Sequence, residues 1–277
     1  AMSDGSGLNA FAKKYPSRYY DVGIAEQHAL TFAAGLALSG NKPVVAIYST
    51  FMQRAYDQLI HDIAIQNIPM LFAIDRAGLV GADGATHSGN FDISFMRCIP
   101  NLILMAPSNE SECFHMLSFG YKYNGVCAVR YPRGNSPGSS IELLNEPIRI
   151  GCANKVRTGK KVAILAFGPI IEVCREVAEE INASLIDMRF IKPIDKKMIR
   201  QVCKDHELIV SVEENAITGG AGSSVLEVIS ESNLLTKTLV LGIPDQFFEH
   251  ASQQEVLKAC GLDKQSIKRK IVKQLNG

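Results

Sequence analysis

Short apolar runs rich in β-branched residues recur along the chain and alternate with segments whose apolar residues have helical spacing. Uninterrupted runs of this length are typical of parallel strands covered by helices on both faces. Because parallel neighbours are joined by long crossovers, usually helices, the alternation predicts parallel sheets flanked by helices. The predicted strands are Pro43–Tyr48, Pro69–Ile74, Asn101–Ala106, Val126–Tyr131, Val162–Phe167, Ser184–Met188, Leu208–Val212 and Thr238–Leu241. Helices are predicted near Arg54–Gln66, Ile170–Ile181, Asp195–Cys203, Ser223–Ser230 and Gln253–Cys260.

The alternation occurs twice, which predicts two α/β domains. The chain has 277 residues, of which 47% are hydrophobic, and this is enough for two cores of about 130 residues each. Between the two alternations, glycine, proline and polar residues replace the apolar runs, which is typical of a linker. The predicted domains are residues 1–135 and 161–277, joined by a linker at residues 136–160, and each contains a mostly parallel sheet flanked by helices.

The charge balance and the cysteine pattern argue against several classes of protein. The formal net charge is +1, without a basic stripe or an acidic tail, so we expect no nucleic-acid or membrane partner. No stretch reaches the roughly 18 apolar residues of a membrane span and no signal sequence is recognisable, so a cytoplasmic location is expected. The seven cysteines form no C-x-x-C pair, which predicts reduced, partly buried thiols.

The segment Asp21–Gly40 (DVGIAEQHALTFAAGLALSG) places one acid, Glu26, at the start of an otherwise apolar, Ala-rich helix. The first backbone N–H groups of a helix lack internal partners, so an acid at this polar end can take part in ligand binding. The position also suits an ordinary first-turn glutamate that only favours helix formation. Local sequence leaves both interpretations open.

Four separate segments bring polar and aromatic side chains to one predicted edge of the first sheet. In parallel α/β sheets, ligands bind beyond the carboxyl ends of the strands, because the crossovers bring those ends to one edge. This convergence favours a ligand site that includes Glu26. The residues that follow predicted strand ends are Glu26 after a short strand-like run at Tyr19–Val22, Ser49, Thr50, Phe51 and Arg54 after Tyr48, Asp75 and Arg76 after Ile74, and Arg133 after Tyr131.

The loop Asp75–Asp92 (DRAGLVGADGATHSGNFD) contains four glycines, three aspartates and one histidine. Loops of this length in compact domains are usually functional or disordered. A flexible surface loop is one interpretation, but the buried strands predicted beside it favour an ordered loop whose glycines allow close approach to a ligand. A second glycine-rich run, Glu214–Val225, does not fit the dinucleotide-binding pattern, so we predict a structural turn that opens a helix there.

Six runs of sequence, spread over both predicted domains, resemble the 1-deoxy-D-xylulose-5-phosphate synthase family of thiamine-diphosphate enzymes, part of the transketolase superfamily. The run DRAGLVGADGATHSG is the most specific of the six. The resemblance implies a pyrimidine-binding domain followed by a transketolase C-terminal domain. The six runs are Asp21–Ala37, Val44–Gln58, Asp75–Gly89, Ala128–Gly134, Asp187–Pro193 and Val212–Ser223.

The resemblance implies that three residues contact the aminopyrimidine of thiamine diphosphate. Glu26 matches the glutamate that bonds N1′, where a shared proton favours the imino tautomer whose N4′ removes the thiazolium C2 proton. Tyr48 and Phe51 match the aromatic positions that pack against the pyrimidine, where flat apolar faces suit a heteroaromatic ring.

Four residues match positions that the family uses for its substrates. Arg54 and Arg133 match the arginines that receive the phosphate of D-glyceraldehyde 3-phosphate, for which a guanidinium offers paired N–H donors. Asp83 and His87 would line the pocket, and His87 would transfer a proton or orient a carbonyl. The catalytic residues implied are thus Glu26 and His87, and none of the chain's residues is expected to bind a metal ion.

The implied reaction joins pyruvate to D-glyceraldehyde 3-phosphate, with loss of CO2. Its product is 1-deoxy-D-xylulose 5-phosphate, a precursor in isoprenoid, thiamine and pyridoxal biosynthesis. In this family an N-terminal domain holds Mg²⁺ and the diphosphate of the cofactor through a G-D-G motif, which this sequence lacks; Gly81-Ala82-Asp83-Gly84 does not match it. We therefore expect the chain to be a fragment that requires the diphosphate-binding domain for activity, and to form a homodimer.

Three other interpretations remain open at this point. The C-terminal half of a split transketolase and the β subunit of a 2-oxoacid dehydrogenase share the two-domain layout and a related D-R-x-G run. The segments Ser49–Arg54 and Arg130–Gly134 (RYPRG) favour the synthase family. A dimerisation module that binds no cofactor is the non-catalytic alternative.

Overall fold

Two five-stranded sheets form the framework of the protein in a computed structural model, which describes residues 5–134, 141 and 147–277. The strands are β1 Val44–Tyr48, β2 Met70–Asp75, β3 Leu102–Met105, β4 Val126–Arg130, β5 Asn154–Arg157, β6 Val162–Phe167, β7 Ser184–Asp187, β8 Phe190–Lys192, β9 Leu208–Ala216 and β10 Lys237–Ile243. Their orders in the sheets are β1-β2-β4-β3-β8 and β10-β9-β6-β7-β5.

Helices connect the strands and cover the sheets. The α-helices are α1 Asn9–Lys14, α2 Glu26–Leu38, α3 Ser49–Met52, α4 Tyr56–Gln58, α5 Asp92–Met96, α6 Glu110–Lys122, α7 Ile171–Glu180, α8 Lys196–Asp205, α9 Ala221–Glu231, α10 Gln253–Cys260 and α11 Lys264–Asn276. Short 3-10 turns occupy Pro16–Arg18, Gln53–Ala55 and Gly81–Asp83, and a π-helical turn occupies Leu59–Ala64. The predicted fold class, two α/β units with mostly parallel sheets flanked by helices, is confirmed.

All eight predicted strands are present, and those of each half pair in parallel. In the first sheet, the β1–β2 register pairs Val44 with Leu71 and Tyr48 with Asp75. The carboxyl ends of these two strands are therefore level. Every residue of β2 is buried, as expected for a strand covered on both faces.

Each sheet also has one antiparallel edge strand that was not predicted from the sequence. Strand β8 pairs with β3, so the second half of the chain contributes a strand to the first sheet. Strand β5 pairs with β7 and lies inside the segment predicted as a linker, residues 136–160; residues 136–140 and 142–146 lie outside the described residues. Strand β8 has only three residues, and β5 (NKVR) has no buried residue, so neither shows the apolar run of a buried strand. Distant partners decide whether they form.

The strand-like run Tyr19–Val22 is irregular in the structure, so that prediction is wrong. The N–H of Gly23 bonds the Asp21 side chain at 2.9 Å, and Gly23 has a φ of 65°. A local side-chain bond of this kind competes with pairing to a neighbouring strand. The chain therefore turns immediately before α2.

The segment Arg54–Gln66, predicted as one helix, is divided into a 3-10 turn, α4 and the π-helical turn. The N–H of Ile65 bonds the carbonyl of Ile60, five residues back, at 2.9 Å. Leu59 and Ile63 are nevertheless buried. The apolar spacing predicted the buried face correctly, whereas the hydrogen-bond pattern follows from packing against the rest of the domain.

The apolar core extends through both halves of the chain. The largest cluster of buried apolar side chains includes Phe72 from the first half and Phe167 from the second. All seven cysteines are free, and four of them are buried, as predicted. None of the described helices is long and apolar enough to span a membrane.

A buried group of charged residues joins the two halves. Asp187, at the end of β7, is 3% exposed and accepts a hydrogen bond from the backbone N–H of Arg189 at 3.1 Å. The Arg189 guanidinium pairs with Glu112 of α6. Burial raises the pKa of Asp187 to about 6, against the opposing hydrogen bond from Ser108, and nearby Glu112 adds to the rise.

We predict that Asp187→Asn flattens the pH dependence of unfolding. The folded protein holds the Asp187 proton more tightly than the unfolded chain does, so proton binding stabilises the folded state. This contribution to the free energy of unfolding is fully present below about pH 4 and is lost as the pH rises through about 6. The loss is on the order of 3 kcal/mol. Chemical denaturation across this range measures it, with exposed Asp205→Asn as the control. An unchanged pH slope in Asp187→Asn would contradict the prediction.

Candidate active site

Glu26 is the first residue of α2 and is 1% exposed. Its Oε2 accepts a hydrogen bond from Nη1 of Arg54 at 2.7 Å, whereas its Oε1 is buried without a partner. A buried oxygen without a donor costs about 1–3 kcal/mol, and an ordinary first-turn glutamate would be solvated. The burial of Glu26 therefore supports the ligand-binding interpretation, because a ligand donor would satisfy Oε1.

Aromatic rings form a stack at the carboxyl end of β1. The rings of Tyr48 and Phe51 are nearly parallel, with centroids 5.7 Å apart. His87 packs its edge against Phe51 at 5.5 Å, and the guanidinium carbon of Arg76 lies 3.9 Å from the centroid of Tyr48. Tyr48 is buried, and this burial raises its pKa. The stack offers flat apolar surface to a planar ligand.

Four charged side chains of alternating sign extend from this stack. Arg76 Nη1 lies 2.5 Å from Asp75 Oδ2, and Arg76 Nε lies 3.7 Å from Asp83 Oδ2. Asp83 also pairs with Arg133. Burial raises the pKa of Asp75, although Arg76 opposes this rise. The Arg76 side chain is 11% exposed and that of Arg133 is 47% exposed, so Arg133 is open to a solvent-borne anion.

All seven site residues proposed from the sequence belong to one connected set. Glu26 contacts Arg54, and the guanidinium carbon of Arg54 lies 5.9 Å from the ring centroid of Phe51. The aromatic stack connects Phe51 to Tyr48 and His87, and Arg76 connects Tyr48 to Asp83 and Arg133. The structure thus brings together residues from α2, the ends of β1, β2 and β4, and the glycine-rich loop.

Arg76 was predicted to lie at the sheet edge but was not among the predicted site residues. In the structure Arg76 has a φ of 57°, a left-handed conformation that is uncommon outside glycine and asparagine. It contacts Tyr48, Asp75 and Asp83. Its position directly after β2 was the available signal, because side chains that follow strand ends meet at this edge.

The loop Asp75–Asp92 is ordered by hydrogen bonds and by contacts with the second half. Gly78 and Gly89 exchange two backbone hydrogen bonds of 2.8 Å across its base. A Cβ on Gly81 would lie 2.9 Å from the backbone nitrogen of Gln253, and one on Gly84 would lie 2.5 Å from the His250 ring. The backbone contact at Gly81 leaves no room for a Cβ, and both contacts place Asp83 and His87 on a supported backbone.

The second glycine-rich run forms the predicted structural turn. The N–H groups of Ala221 and Gly222, at the start of α9, donate to the Glu213 carboxylate at 2.7 and 2.8 Å. Burial raises the pKa of Glu213 to about 7. This helix start is therefore occupied by a carboxylate of the chain itself. Within residues 5–134, 141 and 147–277, no cluster of three His, Cys, Asp or Glu side chains could hold a metal ion.

Two protein-family models match the chain. The transketolase pyrimidine binding domain matches residues 1–139, and the transketolase C-terminal domain matches residues 151–267. A relative from Methylobacillus flagellatus, named 1-deoxy-D-xylulose-5-phosphate synthase, is 56% identical over 99% of this chain and 45% of its own length. A relative of the same name from Haemophilus influenzae is 57% identical over 98% of this chain and 43% of its own length. The chain thus spans less than half the length of these relatives.

Solved structures with the same fold include two transketolases. A split-gene transketolase, solved as an inactive β4 tetramer, has a TM-score of 0.87 and 28% identity; the match covers 98% of this chain and 89% of that one. The transketolase of Campylobacter jejuni has a TM-score of 0.70 and 17% identity, over 91% of this chain and 39% of that one. At 17% identity, the similarity to the Campylobacter jejuni transketolase shows only a shared fold.

We predict that Gly81→Ala destabilises the protein more than Gly40→Ala. Both glycines have positive φ values, 53° and 86°, so both substitutions carry strain of about 1 kcal/mol. A Cβ on Gly81 would also meet the backbone of Ala251 and Gln253, whereas one on Gly40 meets no atom within 4 Å. The additional loss is on the order of 1–3 kcal/mol, measured by denaturant unfolding. Equal losses would contradict the packing of the loop on the second half.

Proposed function

The chain belongs to the transketolase family, and we propose that within the complete protein it forms the pyrimidine-binding part of a thiamine-diphosphate site. The proposed reaction condenses pyruvate with D-glyceraldehyde 3-phosphate, releases CO2 and yields 1-deoxy-D-xylulose 5-phosphate. The identity of 56% and 57% to proteins named for this product supports the choice of reaction.

The observation that carries the proposal is the buried, unpartnered Oε1 of Glu26. A ring nitrogen that shares a proton with this oxygen would satisfy it, and N1′ of the aminopyrimidine is such a group. The Arg54 bond holds the other oxygen, Oε2, in place, so the free oxygen has a defined direction. The residues present therefore fit the cofactor that the family implies.

The cofactor, when bound, supplies an acidic carbon and an electron sink for the decarboxylation and the carbon–carbon bond. The chain's own residues hold and orient it. Glu26 holds a proton at N1′, and the stacked rings of Tyr48 and Phe51 exclude water and pack against the pyrimidine. The Arg76 guanidinium packs against the Tyr48 ring, with its central carbon 3.9 Å from the ring centroid, and so helps to hold the ring in place.

Arg54 and Arg133 are the proposed binding residues for the phosphate of the aldehyde substrate. Their side chains are 45% and 47% exposed. Each already pairs with one carboxylate, Arg54 with Glu26 and Arg133 with Asp83. A guanidinium has five N–H donors, so each can keep its carboxylate while bonding a phosphate oxygen.

Asp83 and His87 are proposed to orient the acceptor aldehyde. Nδ1 of His87 is hydrogen-bonded to the Thr86 hydroxyl at 2.9 Å, which leaves Nε2 as the nitrogen that would transfer a proton or hold a carbonyl oxygen. Asp83 sits between Arg76 and Arg133. In this arrangement Asp83 positions the arginine that receives the phosphate.

We further propose that activity requires a separate diphosphate-binding domain that holds Mg²⁺, and that the complete protein is a cytoplasmic homodimer. The chain spans 43–45% of the relatives' length, which leaves room for that domain elsewhere in the protein.

Titration of thiamine diphosphate against this chain alone and against the complete protein tests whether cofactor binding requires the diphosphate-binding domain. Tight binding by the chain alone would contradict it.

A second candidate function is a subunit of a split transketolase. The observation in its favour is coverage, because this chain aligns with 89% of the split-gene transketolase chain. The identity of 28% in that comparison is half that to the synthases. Incubating the complete protein with pyruvate, or with a ketose phosphate donor, and D-glyceraldehyde 3-phosphate distinguishes the two. Turnover of the ketose donor without use of pyruvate would favour the split transketolase.

We predict that Glu26→Ala, made in the complete protein, slows exchange of the cofactor C2 proton about a hundredfold or more, the usual scale for loss of a proton-transfer partner. NMR of the bound cofactor in deuterated buffer measures the exchange rate. Glu227→Ala, which removes a glutamate that pairs with Arg97 away from the site, is the control. A normal exchange rate in Glu26→Ala would remove this residue from the proton relay.

We predict that Arg133→Ala raises the KM for D-glyceraldehyde 3-phosphate by about ten- to a hundredfold, because charge-assisted bonds to the phosphate are lost. The KM for pyruvate should change little, since pyruvate has no phosphate. Steady-state kinetics of the complete protein measure both values, with the exposed Arg175→Ala as the control. Equal increases for both substrates would contradict the phosphate assignment.

A further inference from the structure

The end of β9, in the second half of the chain, runs along the candidate active site. The N–H of Ala216 donates to the carbonyl of Asn90 at 2.7 Å. The side chain of Asn215 accepts from the N–H of Ile93 at 3.1 Å and donates to the Ser94 hydroxyl at 2.8 Å. Asn215 is fully buried. These bonds hold the chain where the site loop Asp75–Asp92 ends and α5 begins.

The preceding residue, Glu214, contacts the other end of the same loop. Its Oε2 accepts hydrogen bonds of 3.4 Å from the N–H of Leu79 and from the Gln253 side chain. A Cβ on Gly78 would lie 2.9 Å from the Cβ of Glu214, so the loop backbone packs directly on this side chain. Adjacent residues of one strand thus hold both ends of the site loop.

A buried arginine connects this strand end to the first sheet. Arg130, in β4, is 2% exposed, and its Nη2 donates to the backbone carbonyl of Glu214 at 3.1 Å. Its Nε lies 2.8 Å from Oδ2 of Asp92, which is fully buried. The loop end, β4 and the end of β9 therefore form one hydrogen-bonded unit.

We propose that Glu214 and Asn215 are positioning residues for the acceptor part of the site. They hold the two ends of the loop that presents Asp83 and His87, and so the second half of the chain sets the affinity for the phosphorylated aldehyde. This inference rests on the proposed function. Glu26, by contrast, is held by α2 and Arg54, so the cofactor proton step does not depend on these residues.

The test compares Glu214→Ala, Glu214→Gln and Asn215→Ala in the complete protein. We expect each alanine variant to raise the KM for D-glyceraldehyde 3-phosphate about tenfold, the scale of one lost hydrogen bond in a buried site. The exchange rate of the cofactor C2 proton should stay within about twofold of wild type. Glu214→Gln keeps an oxygen that accepts the Leu79 bond, so it should retain a KM near that of wild type.

Hydrogen–deuterium exchange provides a readout that does not depend on catalysis. In the alanine variants, peptides that cover residues 76–96 should exchange faster, because the Leu79 amide loses its Glu214 acceptor and the Ile93 amide keeps only its bond to Asp92. The control is Glu213→Gln, because the Glu213 carboxylate accepts its hydrogen bonds from the start of α9; it should leave both the loop exchange and the KM unchanged.

Two outcomes would overturn the inference. One is unchanged exchange of residues 76–96 in Glu214→Ala and Asn215→Ala. The other is an equal effect of these variants on the cofactor step and on the KM for the aldehyde. If the complete protein instead makes no 1-deoxy-D-xylulose 5-phosphate, the proposed function fails, and the exchange measurement still tests whether these residues hold the loop.

Discussion

The level carboxyl ends of β1 and β2 are the constraint on which the candidate active site depends. Their parallel register pairs Tyr48 with Asp75, so the next residue, Arg76, lies against the Tyr48 ring at 3.9 Å. A slip of one residue would turn every side chain of a strand to the opposite face of the sheet. The pairing that buries the core therefore also assembles the aromatic stack and the charges beside it.

The charges of the site compensate one another before any ligand binds. Two carboxylates and two guanidinium groups alternate along the series Asp75, Arg76, Asp83 and Arg133, so their formal charges sum to zero. Exposure increases along this series, from 11% for the Arg76 side chain to 47% for Arg133. The largely buried pair of Asp75 and Arg76 is therefore suited to holding Tyr48 and the loop. The exposed Arg133 is suited to forming hydrogen bonds with an anion from solvent.

The two halves of the chain form one structural unit around this site. Strand β8 completes the first sheet, and the buried group of Asp187, Glu112 and Arg189 lies at the junction. The glycines of the site loop pack against the backbone and side chains of the second half. The second half thus has a direct physical role in the shape of a site whose candidate ligand-binding side chains all come from the first half.

The sequence by itself determined the α/β class, the eight strands with apolar runs and the residues at the sheet edge. Burial of β-branched runs and the geometry of crossovers are local properties, so they can be read along the chain. Tertiary structure alone decided the strands β5 and β8, the bond between Glu26 and Arg54, the place of Arg76 over Tyr48, and the contact of Glu214 with the loop. Leu79 and Glu214 are 135 residues apart in sequence, and neither carries a local pattern that indicates the other. Such pairings form only when the packing of both halves brings the two segments together.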